Sequence, residues 1–288
     1  MWPPELSDYG REDLDGPYSV SPSSDCEYTP GMREATLPGG NTTGATLIGD
    51  VVHKPARPWT PSVHAVLRHL QDRGFDGAPR ALGFDDQGRE MLTYLRGETI
   101  GAQTRWPAWA SADSMLVQVA QWLRRVHDLT ADFIPPADQQ WFIGGTMRPG
   151  LIIGHQDAAP YNAAVDGDRL VGFYDWDIAG PSSREWDLAF TVLPWVPLAS
   201  PSDDTPSSSH DNDERRRRFH LLLDAYGYDG DRQIFRAVIP ERARAQAGVI
   251  RSMADAGDTA SIALLPIADL LQRSAAAVEA LPDDFWLR

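Results

Sequence analysis

The residues best placed to do chemistry lie between Leu151 and Phe190, where His155, Asp157, Asn162 and Asp175 are set among short apolar runs. Leu151-Ile152-Ile153 reads as a buried strand ended by Gly154. Ala163-Ala164-Val165 and Leu170 to Tyr174 read as two further strands joined across the turn pair Asp166-Gly167. If Val165 faces Leu170 in a hairpin, Asn162 falls opposite Phe173, and Asp175 lies two positions beyond. Cross-strand neighbours and their diagonals are within side-chain reach. An amide carbonyl and a carboxylate converging in this way, completed by phosphate oxygens and water, suit Mg²⁺. Asp157 sits on the loop before the hairpin, where a carboxylate can take the proton of a hydroxyl attacking a metal-held phosphate. The plainer alternative is that these acids only cap turns and solvate loops. It explains less, because the hairpin brings the four polar positions together.

The rest of the chain bounds that chemistry. Its 288 residues allow one large domain or two lobes. The formal net charge of −15 argues against a nucleic-acid partner, which needs basic surface. It is compatible with a cationic substrate drawn to acidic walls, although solubility alone accounts for it equally well. No apolar run reaches the roughly 18 residues a membrane span needs. The start, Met1 to Gly10, carries acids and prolines rather than a basic-then-apolar leader. With Cys26 as the sole cysteine, no internal disulfide forms, and a cytoplasmic location is expected.

Three regions must position the site. Residues 1–30 are rich in Pro, Ser, Asp and Gly without apolar period and read as a mobile extension. Residues 31–97 read as a small β lobe. A glycine-rich turn around Gly40 and Asn41 lets backbone N–H groups approach phosphates. Strands follow at Ala45 to Ile48, Val51 to Lys54, Arg80 to Phe84 and Glu90 to Leu95. An amphipathic helix runs from Pro61 to Gly74, with Thr60 or Ser62 as cap. Residues 98–288 read as a larger, mainly helical lobe. Its first helix spans Ser111 to Leu129, capped by Ser111, and carries His127 as a structural residue. A loop rich in Ser, Asp and Pro spans 199–213. The Arg215–Arg218 run, flanked by acids, reads as a solvated helix face rather than a nucleic-acid patch.

The ordered set His155-Gln156-Asp157-Ala158-Ala159-Pro160-Tyr161-Asn162, Asp175-Trp176-Asp177 and Trp186-Asp187-Leu188-Ala189 resembles the aminoglycoside phosphotransferase and choline kinase superfamily. The resemblance covers roughly residues 36–281. It implies an α+β, bilobal protein-kinase-like fold, with a small antiparallel-β N-lobe and a larger, mainly helical C-lobe. It further implies that the loop at Gly40 and Asn41 covers ATP phosphates and that Lys54, the sole lysine of the chain, reaches the α and β phosphates. The backbone at Thr93 to Leu95 would meet adenine. Asn162 and Asp175 would hold Mg²⁺, and Asp157 would act on the acceptor hydroxyl as a weak base with a carboxyl near its ordinary value. His155 and Asp187 are expected to brace the loop, while Asp177 reads either as a second ligand or as a solvated acid.

Two departures from the family stand out. The family's helix glutamate, which pairs with the lysine, is missing; His64 or a carboxylate elsewhere must take its place. Gln156 stands where the family usually has glycine, so the backbone there avoids positive φ or bears strain. The implied activity is ATP- and Mg²⁺-dependent phosphorylation of a hydroxyl on a small molecule, an aminoglycoside or another antibiotic or metabolite. The second reading is a nucleotide-binding pseudokinase acting as a sensor or scaffold. A His/Asp metallohydrolase is weaker, because no second histidine lies near His155.

Overall fold

β-branched and apolar alternation in the first third of the chain builds one antiparallel sheet. Its strands are β1 (Glu34–Thr36), β2 (Thr46–Ile48), β3 (Val51–Pro55), β4 (Ala81–Phe84) and β5 (Arg89–Thr93), in the order β1-β2-β3-β5-β4. The computed structural model describes residues 34–36, 44–100, 106–198 and 212–288, the first three by backbone alone. Gly40 and Asn41, the proposed extension at 1–30 and most of the 199–213 loop therefore lie outside the described residues. The described residues all belong to one compact unit, Arg33–Arg288.

Helix α1 (Thr60–Asp72) packs on the sheet through Val63, Val66, Leu67 and Leu70, all at most 2% exposed. Burying each of these side chains contributes about 1.5–3 kcal/mol. Neither expected cap is used as one. Thr60 Oγ1 accepts the Arg57 N–H at 2.9 Å, and Ser62 Oγ accepts the Gln140 N–H at 2.9 Å. Both hydroxyls are spent on tying neighbouring loops to the helix.

The helical lobe begins with α2 (Asp113–Thr130). Ser111 does not cap it, because it closes the preceding 3₁₀ turn, donating to the Ala108 carbonyl at 3.1 Å. The apolar stripe Met115, Val119, Trp122, Leu123 and Val126 is buried as its spacing requires. Trp122 is the centre of an aromatic cluster. Its ring lies 4.7 Å from Phe173, 5.8 Å from Phe75 and 5.9 Å from both His155 and Trp176, and its indole N–H donates to the Gly77 carbonyl at 2.8 Å.

The loop-bearing strands follow: β6 (Ile152–Gly154), β7 (Ala163–Asp166), β8 (Arg169–Phe173) and β9 (Gly180–Ser182). β7 and β8 form the expected hairpin, but its register changes partway. Val165 pairs with Leu170, whereas Ala164 pairs with Gly172 and Ala163 with Phe173. A bulge at Val171 therefore puts Ala163, not Asn162, opposite Phe173. The bulge lets β8 approach the first lobe. A Cβ on Gly172 would lie 2.2 Å from the Gly77 carbonyl oxygen, which accepts the Phe173 N–H at 3.2 Å. β9 pairs with β6; the sequence Gly180-Pro181-Ser182 has no apolar signal to announce it.

The remaining helices are α3 (Arg184–Trp195), α4 (Asn212–Tyr226), α5 (Phe235–Asp255), α6 (Thr259–Ala263) and α7 (Leu265–Glu279). Ser183 caps α3 by accepting the Trp186 N–H at 3.2 Å. No helix among the described residues is long and apolar enough to cross a membrane.

The arginine run opens α4 but is not a solvated face throughout. Arg218 is 2% exposed. Its guanidinium donates to the Ser111 and Trp195 carbonyls, both at 2.8 Å, and to Asp113 at 2.7 Å. The planar fork satisfies three acceptors that no apolar residue could reach. Arg218→Ala leaves two carbonyls unpaired and is expected to lower stability by about 2–4 kcal/mol. Chemical denaturation against wild type measures this, with Arg68→Ala on the exposed face of α1 as a control.

Candidate active site

The site is built on the chain between β6 and β7. β6 ends at Gly154, where any Cβ would stand 2.8 Å from the Asp187 carboxylate. That close approach lets one buried acid hold the next turn. Asp187 Oδ2 accepts the His155 N–H at 3.1 Å, and Oδ1 accepts the Gln156 N–H at 2.7 Å. His127 donates to Asp187 at 2.8 Å, and its other ring nitrogen meets the Tyr226 hydroxyl at 2.8 Å. Burial would raise the Asp187 carboxyl, but the His127 hydrogen bond and charge outweigh it and hold the group below its ordinary value.

Gln156 adopts φ +63°, so the glutamine bears left-handed strain of about 1–3 kcal/mol. The strain is held from both ends. Asp187 takes the Gln156 N–H, and Arg242 donates to its carbonyl at 3.0 Å. Arg242 comes from α5, is 1% exposed, and lies 4.7 Å from the Phe190 ring and 5.5 Å from Trp186. Burial pulls its guanidinium down to about 10.

His155 is buried and neutral. Its Nδ1 accepts the Asp157 N–H at 3.2 Å, and its Nε2 donates to the Tyr174 carbonyl at 3.1 Å. That pair of contacts admits one neutral tautomer. Burial lowers the imidazole from 6.5 to about 4. Protonation is thus easier in the unfolded chain. Stability from this group is fully present above pH about 6.5 and is lost as pH falls toward about 4. The loss is up to about 3 kcal/mol. Asp157, raised to about 7, contributes with the opposite sign over the same interval, so the His155 part is read as the difference between the pH 7 to 4 denaturation slopes of wild type and His155→Asn, in which the Asp157 contribution is common.

Asp157, Asn162 and Asp175 are brought together as the sequence suggested. Asn162 Nδ2 donates to Asp157 Oδ2 at 2.8 Å and to the Asp157 carbonyl at 3.0 Å. Its amide nitrogen makes both bonds, which leaves the carbonyl oxygen as the atom a hard cation would take. Asp175 follows β8 at φ +62°, a conformation aspartate tolerates better than most residues. The Asp157 carboxyl does not sit near its ordinary value. Burial, with help from the Asp175 charge, pushes it up to about 7. Tyr161 donates its hydroxyl to Asp157 Oδ1 at 2.6 Å. Burial of that hydroxyl and the adjacent Asp157 charge hold the phenol well above its usual value.

Lys54 is 5% exposed and meets three carboxylates, Asp177 at 2.7 Å, Glu90 at 3.4 Å and Asp175 at 3.5 Å. Burial alone would lower its ammonium, but Asp175, Asp177 and Glu90 together raise it well above the ordinary value. Asp177 is thus turned onto the lysine rather than out to solvent. Glu90 answers the question of the missing helix glutamate. Lys54 on β3 and Glu90 on β5 are direct cross-strand partners. His64 on α1 holds the other Glu90 oxygen at 3.1 Å. Glu90, Tyr161 and Arg242 were not singled out from the sequence. Pairing the two predicted strands around Lys54 and Glu90 would have found the first.

At the hinge, the Thr93 N–H is spent on the Arg80 carbonyl at 3.0 Å and the Tyr94 N–H on Asp50 at 3.0 Å. Among the described residues, no backbone bond engages Leu95. Also among the described residues, no three His, Cys, Asp or Glu side chains cluster as a metal site. A cation at Asn162 and Asp175 would therefore draw its remaining ligands from phosphate and water.

No protein-family model matches the chain. A trifolitoxin immunity protein of Rhizobium leguminosarum bv. trifolii is 34% identical over 201 residues, covering 67% of this chain and 74% of the relative. Many solved structures resemble the fold at low identity, among them three phosphotransferases or their relatives. An amicoumacin kinase in complex with AMP-PNP and Ca²⁺ matches with TM-score 0.61 and 9% identity, over 87% of this chain and 90% of its own. The GDP complex of an aminoglycoside 2′-phosphotransferase matches at 0.54 and 14%, over 86% and 94%. A choline/ethanolamine kinase family protein from Mesorhizobium loti matches at 0.51 and 16%, over 86% and 92%. The fold is the protein-kinase-like one of these phosphotransferases, with a small antiparallel sheet and a helical remainder.

Proposed function

We propose, from the premise that the chain belongs to the trifolitoxin immunity protein family, that it is a small-molecule O-kinase that protects by phosphorylating a hydroxyl of a toxin or antibiotic. The observation that carries this reading is the meeting of Lys54, from the sheet, with Asp175 and Asp177, from the strand end after the Asp157–Asn162 loop. A phosphoryl-transfer site needs a cation for the donor phosphates beside a carboxylate pair, and a separate carboxylate for the acceptor.

Each residue's part follows from its surroundings. Lys54 would bind donor phosphates, and the Leu95 backbone would be open to adenine. Asn162 and Asp175 would hold Mg²⁺. Mg-ATP, when bound, supplies the transferred group and the charge neutralisation. Asp157 would orient the acceptor hydroxyl and take its proton. Asp187, His155 and Arg242 keep the loop in shape. Residues 31–97 would form the nucleotide lobe and 98–288 the catalytic and acceptor-binding lobe. The rate would come mostly from positioning and charge stabilisation.

The acceptor is a hydroxylated small molecule. The relative is named a trifolitoxin immunity protein, which favours a toxin or antibiotic over a metabolite; the structural neighbours include kinases of both kinds. The net charge of −15 suits a cationic one. The pseudokinase alternative rests on the absent helix glutamate and on Gln156. Glu90 supplies that carboxylate 3.4 Å from Lys54, which answers the first, and Asp187 and Arg242 hold the Gln156 backbone in the shape the loop needs. The test is coupled ADP release from Mg-ATP against a panel of aminoglycosides, peptide and nucleoside antibiotics, amino alcohols and sugars. Acceptor-dependent release is expected. Mg-ATP binding by thermal shift with silence across the panel favours the pseudokinase, and no nucleotide binding overturns both readings.

A further inference from the structure

Both oxygens of the Asp157 carboxylate are already engaged. Asn162 Nδ2 holds Oδ2 at 2.8 Å, and the Tyr161 hydroxyl holds Oδ1 at 2.6 Å. An acceptor hydroxyl activated by Asp157 must make a short donor contact of the kind Tyr161 makes now. Each carboxylate oxygen carries two lone pairs, so Tyr161 holds one of the positions an acceptor would use on Oδ1 and stands beside the other.

The backbone that presents it is firm. Tyr161 lies in the 3₁₀ turn Pro160–Asn162, with Ala158, Ala159 and Asn162 all 5% exposed or less. The Tyr174 hydroxyl donates to the Tyr161 carbonyl at 2.5 Å. The side chain is less confined, since the residue is 41% exposed. With that much of the residue facing solvent, rotation about χ1 offers the phenol a way out, so a fixed backbone carries a hydroxyl that an acceptor can displace.

We infer that Tyr161 is a guard on Asp157, keeping water from the base until a bound acceptor displaces it, and so separating phosphoryl transfer from idle ATP hydrolysis. This inference rests on the kinase reading above. A water molecule and a substrate hydroxyl compete for Oδ1 on different terms. Water brings no other contacts and must break a short, charge-assisted hydrogen bond unaided. An acceptor held by its remote parts can spend that binding energy on moving the phenol aside. Tyr161 acts through Asp157 and is a positioning residue; the bond it controls is the one between the transferred phosphoryl group and whichever oxygen reaches Asp157.

The test needs no knowledge of the acceptor. Tyr161→Phe keeps the ring and removes the hydroxyl. Wild type and variant are compared for ADP release from Mg-ATP alone, with Mg-ATP binding checked by thermal shift. The variant is expected to hydrolyse ATP about tenfold faster, as expected when one charge-assisted hydrogen bond no longer excludes water. Adding Asp157→Asn should abolish the gain. A merely structural tyrosine would lower rates or melting temperature and would not raise hydrolysis. Equal hydrolysis with intact Mg-ATP binding overturns the guard and leaves the kinase reading standing. A phosphate-sized mass gain on wild type that is lost in Tyr161→Phe also overturns it, by making the hydroxyl an acceptor. Absence of Mg-ATP binding in both proteins removes the kinase reading and the guard with it.

Discussion

Asp157→Ala is expected to cut acceptor-dependent ADP release by about 10²–10⁴-fold, the usual contribution of a positioned general base, while leaving the Mg-ATP thermal shift in place. The two readouts separate because the proposed reading puts Asp157 on the acceptor side. Its contacts are with Tyr161 and Asn162, whereas Lys54 is held by Asp177, Glu90 and Asp175. An ordinary carboxyl, near about 4, would accept a proton only late in transfer. Burial changes this by lifting Asp157 to about 7, close to the range where a base is most effective. The base must be ionised, so activity is lost as pH falls. A cation at Asn162 and Asp175 pulls the value down. The acid limb of kcat/KM is therefore expected between about 4 and the value of about 7 in the unliganded site. A near-normal rate in Asp157→Ala, or a flat profile across that interval, would remove Asp157 from its role.

The order of motifs along the chain makes the candidate site legible in the sequence. A hairpin is a local structure, and Asp166-Gly167 between two apolar runs specifies it. The polar residues at its ends could be placed because their distances depend on a few neighbouring residues. The bulge at Val171 is not legible, because it goes with the close approach of Gly172 to Gly77, nearly a hundred positions earlier in sequence. Arg242 and Arg218 were hidden for a similar reason. A charged residue on a helix is ordinarily solvated; only the tertiary fold shows which acceptors bury it. Gln156 posed a choice between strain and a different backbone. The answer required seeing Asp187 and Arg242 grip its N–H and carbonyl.

Glu90 shows how a missing residue can be supplied from elsewhere, and Glu90→Gln is expected to lower kcat/KM for ATP by about 10–100-fold. In the free site Lys54 is shared among Asp177, Glu90 and Asp175. The carboxylates are not equivalent once nucleotide binds. On the proposed reading Asp175 would be taken up by the cation, and Asp177 neighbours it at the same strand end. Glu90 shares the sheet with Lys54 in direct register, and its side chain is 2% exposed. It is therefore the partner that stays. His64 fixes the Glu90 carboxylate from α1 at 3.1 Å, so the helix contributes through an imidazole what it would otherwise contribute through its own carboxylate. A pair set by strand register does not depend on the helix swinging into place, and the lysine is oriented before nucleotide arrives. Moving the charge tests this directly. In the double variant His64→Glu, Glu90→Gln, the carboxylate returns to α1, and recovery of kcat/KM relative to Glu90→Gln alone would identify the requirement as one negative charge beside Lys54. Glu90→Asp, a methylene shorter, should recover less. Unchanged kcat/KM in Glu90→Gln would mean that Asp177 alone orients the lysine.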